Sequence, residues 1–283
     1  MEFPEFETRN VDVGEGVQLC VAHAGEGGAP LLLVHGFTGS KEDFFHEVEP
    51  LVEMGFHVVV ADHRGHGSSD QPSRSQDYSL AQLADDMFAV ADAFGWSRFD
   101  LLGHSMGGMV VQLMVLERPD RVGRLILMDT HHGQLSNLDA DLIELGAQIA
   151  RTDGLKAIQD ILKLGQDPLD NPAFQRLKAT MPGYEQWSDS KMLVCSPEMY
   201  ATLLTEISQV NDRLDLLMKI DHPTLVLVGE LDEPFIQASQ RMANALPNAK
   251  LVMIDDAGHS PQFENTTQWR DAVHAFLAAG LGE

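Results

Sequence analysis

The chain contains only two cysteines in 283 residues, Cys20 and Cys195, far apart and in no Cys-x-x-Cys spacing. That excludes a disulfide scaffold and a cysteine-only zinc site, leaving one bridge at most. Long apolar runs are missing as well. Stretches such as 31–34 and 125–128 are strand-sized, whereas a spanning helix needs roughly 18 or more apolar residues. Basic residues are scarce, 19 against 43 acidic, for a net charge of −24. Such acidity gives no generic attraction to nucleic acid or to an anionic membrane, so neither is expected as a partner. The first seven residues, Met-Glu-Phe-Pro-Glu-Phe-Glu, lack the basic start and apolar stretch of a signal peptide, and a cytoplasmic location is the expectation. High net charge also discourages self-association, pointing to a monomer or small homo-oligomer.

What is present is a regular alternation. Apolar runs at 31–34, 58–61, 99–102, 125–128, 224–228 and 250–254 each end at a glycine or a polar residue. Unbroken rather than alternating apolar runs suit strands covered on both faces. Helix-like stretches lie at 43–54, 80–94, 107–117, 235–245 and 266–279, giving an α/β class with a doubly wound, mostly parallel sheet. Segments 5–10 and 17–23, separated by Gly14 and Gly16, read as an antiparallel hairpin at one edge. The alternation fails between about 130 and 222, where Pro168, Pro172, Pro182 and Pro197 act as breaks and helices are expected at 138–151, 154–164, 172–180 and 198–209. The expected division is a core of 1–130 and 223–283, with a helical cap of 131–222 inserted after the sixth strand.

Chemistry centres on Gly103-His104-Ser105-Met106-Gly107, a Gly-x-Ser-x-Gly between a strand and a helix. This arrangement exposes a serine hydroxyl on a sharp, strained turn, where the close approach of strand and helix demands glycine on either side. A serine needs a base, and the base an orienting carboxylate. His259 follows the last strand and Asp232 the one before it, giving the order Ser, Asp, His. Asp129 also follows a strand end, and Glu230 and Glu233 flank Asp232, so these three remain alternatives for the acid. The histidine pairs His63/His66 and His131/His132 lack the spacing of a His-Glu-x-x-His zinc site, and no metal is expected.

The sequence resembles the α/β-hydrolase superfamily, in particular its capped serine esterase and lactonase branch. The resemblance rests on Val34-His35-Gly36-Phe37, on Asp62-His63-Arg64-Gly65-His66-Gly67-Ser68-Ser69, on the Gly103–Gly107 elbow, on Gly229-Glu230-x-Asp232 and on Gly258-His259. It implies Ser105 as nucleophile, His259 as general acid/base, Asp232 as its orienter, and the backbone N–H groups of Phe37 and Met106 as oxyanion donors. It gives the Arg64 loop a structural role. His35, His104, His131 and His132 are candidate lining for the substrate pocket, with His104 beside the nucleophile but not the base.

Serine at the elbow, rather than aspartate, points to acyl transfer. The loop Gly36-Phe37-Thr38-Gly39 lacks the Gly-Pro-Gly usual in carbon–carbon hydrolases and the glycine run of many lipases. The expectation is hydrolysis of a small-molecule carboxylic ester or lactone through an acyl-enzyme, without a cofactor. A carbon–carbon hydrolase, a cofactor-free perhydrolase and a non-catalytic ligand receptor of the same fold are the alternatives. With so acidic a surface, neutral or cationic substrates are expected to approach more readily than anions.

Overall fold

The computed structural model describes residues 1–134, 139–166 and 169–279. Strands β1 (Glu7–Asp12), β2 (Gln18–Ala24) and β3 (Ala29–Val34) lead to α1 (Phe45–Glu53), β4 (Phe56–Ala61) and α2 (Leu80–Ala93). Then come β5 (Phe99–His104), α3 (Met106–Glu117) and β6 (Val122–Met128). Among the described residues, six α-helices follow before the next strand: α4 (Ala140–Asp153), α5 (Leu155–Ile161), α6 (Pro172–Thr180), α7 (Tyr184–Leu193), α8 (Pro197–Ser208) and α9 (Leu214–Leu217). The chain ends in β7 (Thr224–Gly229), α10 (Glu233–Ala245), β8 (Ala249–Ile254), α11 (Pro261–Glu264) and α12 (Thr266–Ala278). The sheet has eight strands in the order β1-β2-β4-β3-β5-β6-β7-β8. β1 and β2 are antiparallel to their neighbours, and the other pairings are parallel.

The interior apolar runs are continuous because both faces are covered; β8, at the sheet edge, departs from this, with Lys250 and Leu251 exposed. Along β3, Leu31 and Leu33 pack with Leu51, Trp269 and Val273 from α1 and α12. Leu32 and Val34 face the other way, among Leu83, Met87, Val110 and Val111 from α2 and α3. The helices start where capping chemistry starts them. Ser79 accepts the Gln82 N–H at 3.0 Å ahead of α2, and Ser196 accepts the Met199 N–H at 3.2 Å ahead of α8, which has proline at its first position.

Three local expectations change. The stretch expected as one helix over 43–54 begins earlier, as a 3₁₀ turn at Lys41–Phe44, because Asp43 turns its carboxylate back to the Ser40 N–H at 3.0 Å. The helix expected over 154–164 ends at Ile161 and continues as a wide π turn in which Gly165 takes a φ of 85°. α7 had no counterpart in the sequence pattern; among its buried residues is Tyr184. The break expected at Pro168 and the start of the helix expected at 138 lie outside the described residues. Among the described residues, no helix is long and apolar enough to cross a membrane, and both cysteines are free thiols.

Candidate active site

Ser105 sits between β5 and α3 with φ 54° and ψ −121°, a conformation that side chains rarely adopt. The flanking glycines make the turn possible. A Cβ on Gly107 would fall 2.2 Å from the Val34 carbonyl oxygen, and one on Gly103 would fall 2.5 Å from that of Gly107. Hydrogen bonds hold the strained residue from both sides: its N–H donates to Met128 O at 2.9 Å, and the Thr130 hydroxyl donates to its carbonyl at 2.6 Å.

The three residues nominated as nucleophile, base and acid meet. Ser105 Oγ lies 2.9 Å from His259 Nε2, and His259 Nδ1 lies 2.8 Å from Asp232 Oδ2. Asp232 can only accept as a carboxylate, so Nδ1 carries the imidazole proton and Nε2 turns a lone pair toward the serine hydroxyl. Phe235 lies against the same imidazole, ring centroids 4.6 Å apart. Among the alternatives for the acid, Glu230 accepts the Asp256 N–H at 3.0 Å and Glu233 is the exposed first residue of α10. Asp129 is buried behind Asp232 and accepts the Gly229 N–H at 2.8 Å.

Met106 is the first residue of α3, where backbone N–H groups have no acceptor within the helix and carry the positive end of its dipole. The backbone before Phe37 lies against Ser105: a Cβ on Gly36 would be 3.0 Å from that of Ser105. The Phe37 ring packs on Tyr200 of α8, centroids 4.9 Å apart.

The four histidines expected to line the substrate pocket bond to their surroundings. His104 donates from Nε2 to the His259 carbonyl at 2.7 Å, and burial pushes its pKa down to about 3. His35 bonds through Nδ1 to Gly36 O and through Nε2 to the His63 N–H, within a buried group with His63 and His66. His131 and His132 stack, His131 accepting the Gly133 N–H and His132 facing Asp212 at 2.8 Å. Among the described residues, the grouping of His, Cys, Asp and Glu tight enough to grip an ion is Asp129, Asp232 and His259; two of the three already belong to the Ser105 chain of hydrogen bonds. Arg64 forms a two-pronged pair with Asp86, both contacts 2.6 Å, and donates to Asp77 O at 2.9 Å, tying its loop to α2.

One contributor had no signal in the motifs. Glu264 Oε2 accepts the N–H groups of Gly258 at 2.7 Å and Ser260 at 3.0 Å, gripping the His259 loop on both sides of the imidazole. A carboxylate five residues after the histidine, in a four-residue helix, was the available hint.

The helices between β6 and β7 lie over these loops. Tyr184 and Trp187 pack on Phe263, Arg176 pairs with Asp256 at 2.9 Å, Lys191 pairs with Asp43, and the Ser196 N–H donates to Gly65 O at 2.8 Å.

Residues 29–266 match the family described as alpha/beta hydrolase fold, and the chain belongs to that family. It is similar to a 2-hydroxy-6-oxononadienedioate/2-hydroxy-6-oxononatrienedioate hydrolase of Paraburkholderia xenovorans, 28% identical over 94% of this chain and 92% of the relative. Among solved structures it is similar to a thermophilic esterase from Thermogutta terrifontis, with a TM-score of 0.83 and 27% identity over 96% and 98% of the two chains. It is also similar to the enol-lactonase of Burkholderia xenovorans, with a TM-score of 0.82 and 25% identity over 94% and 99%.

Proposed function

We propose that the protein is a serine hydrolase that cleaves a carboxylic ester or lactone through an acyl-enzyme. The observation that carries this reading is the continuous hydrogen-bonded chain Asp232–His259–Ser105, ending on a half-buried serine at the strained elbow. In the first half-reaction Ser105 Oγ attacks the acyl carbon while His259 Nε2 takes its proton, then delivers it to the leaving alkoxide. In the second, water attacks the acyl-enzyme, His259 takes the water's proton and returns it to Ser105 as the acid leaves. The N–H groups of Phe37 and Met106 receive the negative oxygen of both tetrahedral intermediates; losing one such donor typically costs about 10²–10³ in turnover. Asp232 keeps the imidazole in the required tautomer. Residues 131–222 act as the cap, with Phe37 and Tyr200 forming an apolar wall for the acyl group.

The esterase and enol-lactonase neighbours support this reading. Similarity to a hydrolase of an oxononadienedioate favours carbon–carbon cleavage as the second reading, which the same triad could serve. Turnover of p-nitrophenyl acetate and butyrate, lactones and ring-cleavage diketones, measured side by side, separates the two. The ester–lactone reading expects the first two classes to be hydrolysed and Ser105→Ala to abolish that turnover; activity on the diketones alone overturns it.

A further inference from the structure

Asp129 closes β6 with a φ of 45°, a left-handed conformation held at a buried position. Its Oδ1 accepts the Gly229 N–H, while its Oδ2 is sealed from solvent without a hydrogen-bond partner other than the neighbouring carboxyl. One oxygen of Asp129, one of Asp232 and one ring nitrogen of His259 lie within 4.8 Å of one another. The groups facing Asp129 are Asp232 from the loop after β7 and His259 and Glu264 from the segment after β8. Together with Asp129 itself, this set holds three carboxyls. His259 has its Nδ1 proton committed to Asp232. Two ionised carboxylates this close in a dry site repel strongly, and a buried acceptor without a donor carries its full desolvation cost. A single proton removes both penalties.

We propose that Asp129 is a positioning residue: a neutral carboxylic acid that donates a hydrogen bond from Oδ2 to Asp232 and so fixes the carboxylate that orients His259. Burial and the neighbouring Asp232 charge both push the Asp129 carboxyl well above the usual carboxylate range, in the direction this arrangement needs. The donated bond fixes the plane of the Asp232 carboxylate and disperses its charge, while the Gly229 N–H sets the other oxygen. The two strand ends carrying Asp129 and Asp232 are thereby joined behind the imidazole.

The inference rests on the triad reading, and the two fail separately. Asp129→Leu removes the donor while keeping the branching at Cγ and is expected to lower kcat about 10–100-fold. Asp129→Asn can present its carbonyl to Gly229 and its NH₂ to Asp232, and is expected to restore turnover to within about threefold of the wild type. The acid limb of kcat/KM stays within about 0.3 pH unit of wild type in Asp129→Asn, since one neutral group replaces another. Had Asp129 been ionised, losing a negative charge so near His259 would move that limb about one unit or more toward acid pH. Infrared spectra in a Ser105→Ala background give a readout independent of turnover: a protonated-carboxyl C=O band at neutral pH that disappears on adding Asp129→Asn. Asparagine failing to rescue, the acid limb moving, or the band being absent each overturns the proposal. Turnover persisting in Ser105→Ala overturns the triad reading instead.

Discussion

Glu264 makes the residue scale concrete. Its single Oε2 receives two N–H groups, one on each side of His259, so the imidazole is aimed by a loop anchored at both neighbours. Glu264→Ala leaves both donors without that acceptor, and a lost hydrogen bond to a charged group costs about 1.5–3 kcal/mol. We expect kcat to fall about tenfold or more with KM little changed, because Glu264 acts on the loop that carries His259 and what suffers is the alignment of the imidazole. Steady-state kinetics on p-nitrophenyl butyrate check this; a change confined to KM contradicts it. The choice of acid belongs to this scale too. Asp129 and Asp232 both follow strand ends, and their order in the chain cannot separate them. The 2.8 Å contact from Asp232 to His259 Nδ1 does so, because it depends on how far the loop after β7 reaches past the loop after β6.

At the scale of elements, the elbow depends on a backbone-to-backbone approach. A methyl group at Gly107 would meet the Val34 carbonyl oxygen at 2.2 Å, and neither β3 nor α3 can retreat without opening a core filled by Val110, Val111 and Leu32. Gly107→Ala is therefore expected to reduce stability by several kcal/mol, in the upper range of single substitutions, seen as a large fall in Tm or loss of folded protein. Gly55→Ala offers a contrast, since nothing lies within 4 Å of its added methyl and the left-handed φ of 94° supplies the strain; we expect a smaller loss there. The strands were legible because each apolar run in the sheet interior is covered on both faces, and the elbow because its glycines are sterically required. The helices over the site were less so. α7, Tyr-Glu-Gln-Trp-Ser-Asp-Ser-Lys-Met-Leu, shows no apolar stripe at helical spacing. It packs through aromatic contacts of Tyr184 and Trp187 with Phe263, which no local pattern encodes. Glu264 carries no sequence signature for a related reason: its partners are backbone N–H groups, which form no side-chain motif.

For the whole molecule, the buried histidines set the response to acid. His35, His63, His66 and His104 are all held below the ordinary value of 6.5, chiefly by burial, His66 at about 4 and His104 at about 3. Each folds in its neutral form while the unfolded chain binds a proton below 6.5. The stability they allow is therefore fully present above that pH and is lost as pH falls toward the folded-state values, by about 1.4 kcal/mol per pH unit for each group inside its window. Urea titrations between pH 7.5 and 4.5 should show the unfolding midpoint falling steeply below about pH 6. A midpoint that holds steady or rises over that range contradicts the account. Acidity also shapes the exterior: with 43 acidic residues against 19 basic, the mean field opposes anions, and the proposed triad lies inside a molecule of strongly negative net charge.

The central claim is that Ser105 is the residue that becomes acylated. The most direct measurement is intact-mass and peptide mass spectrometry after treatment with a fluorophosphonate, with ester turnover followed in parallel. The account predicts one adduct per chain, located on Ser105, forming as turnover disappears, and neither adduct nor turnover in Ser105→Ala. An adduct on another residue that abolishes turnover, or undiminished hydrolysis by Ser105→Ala, contradicts it.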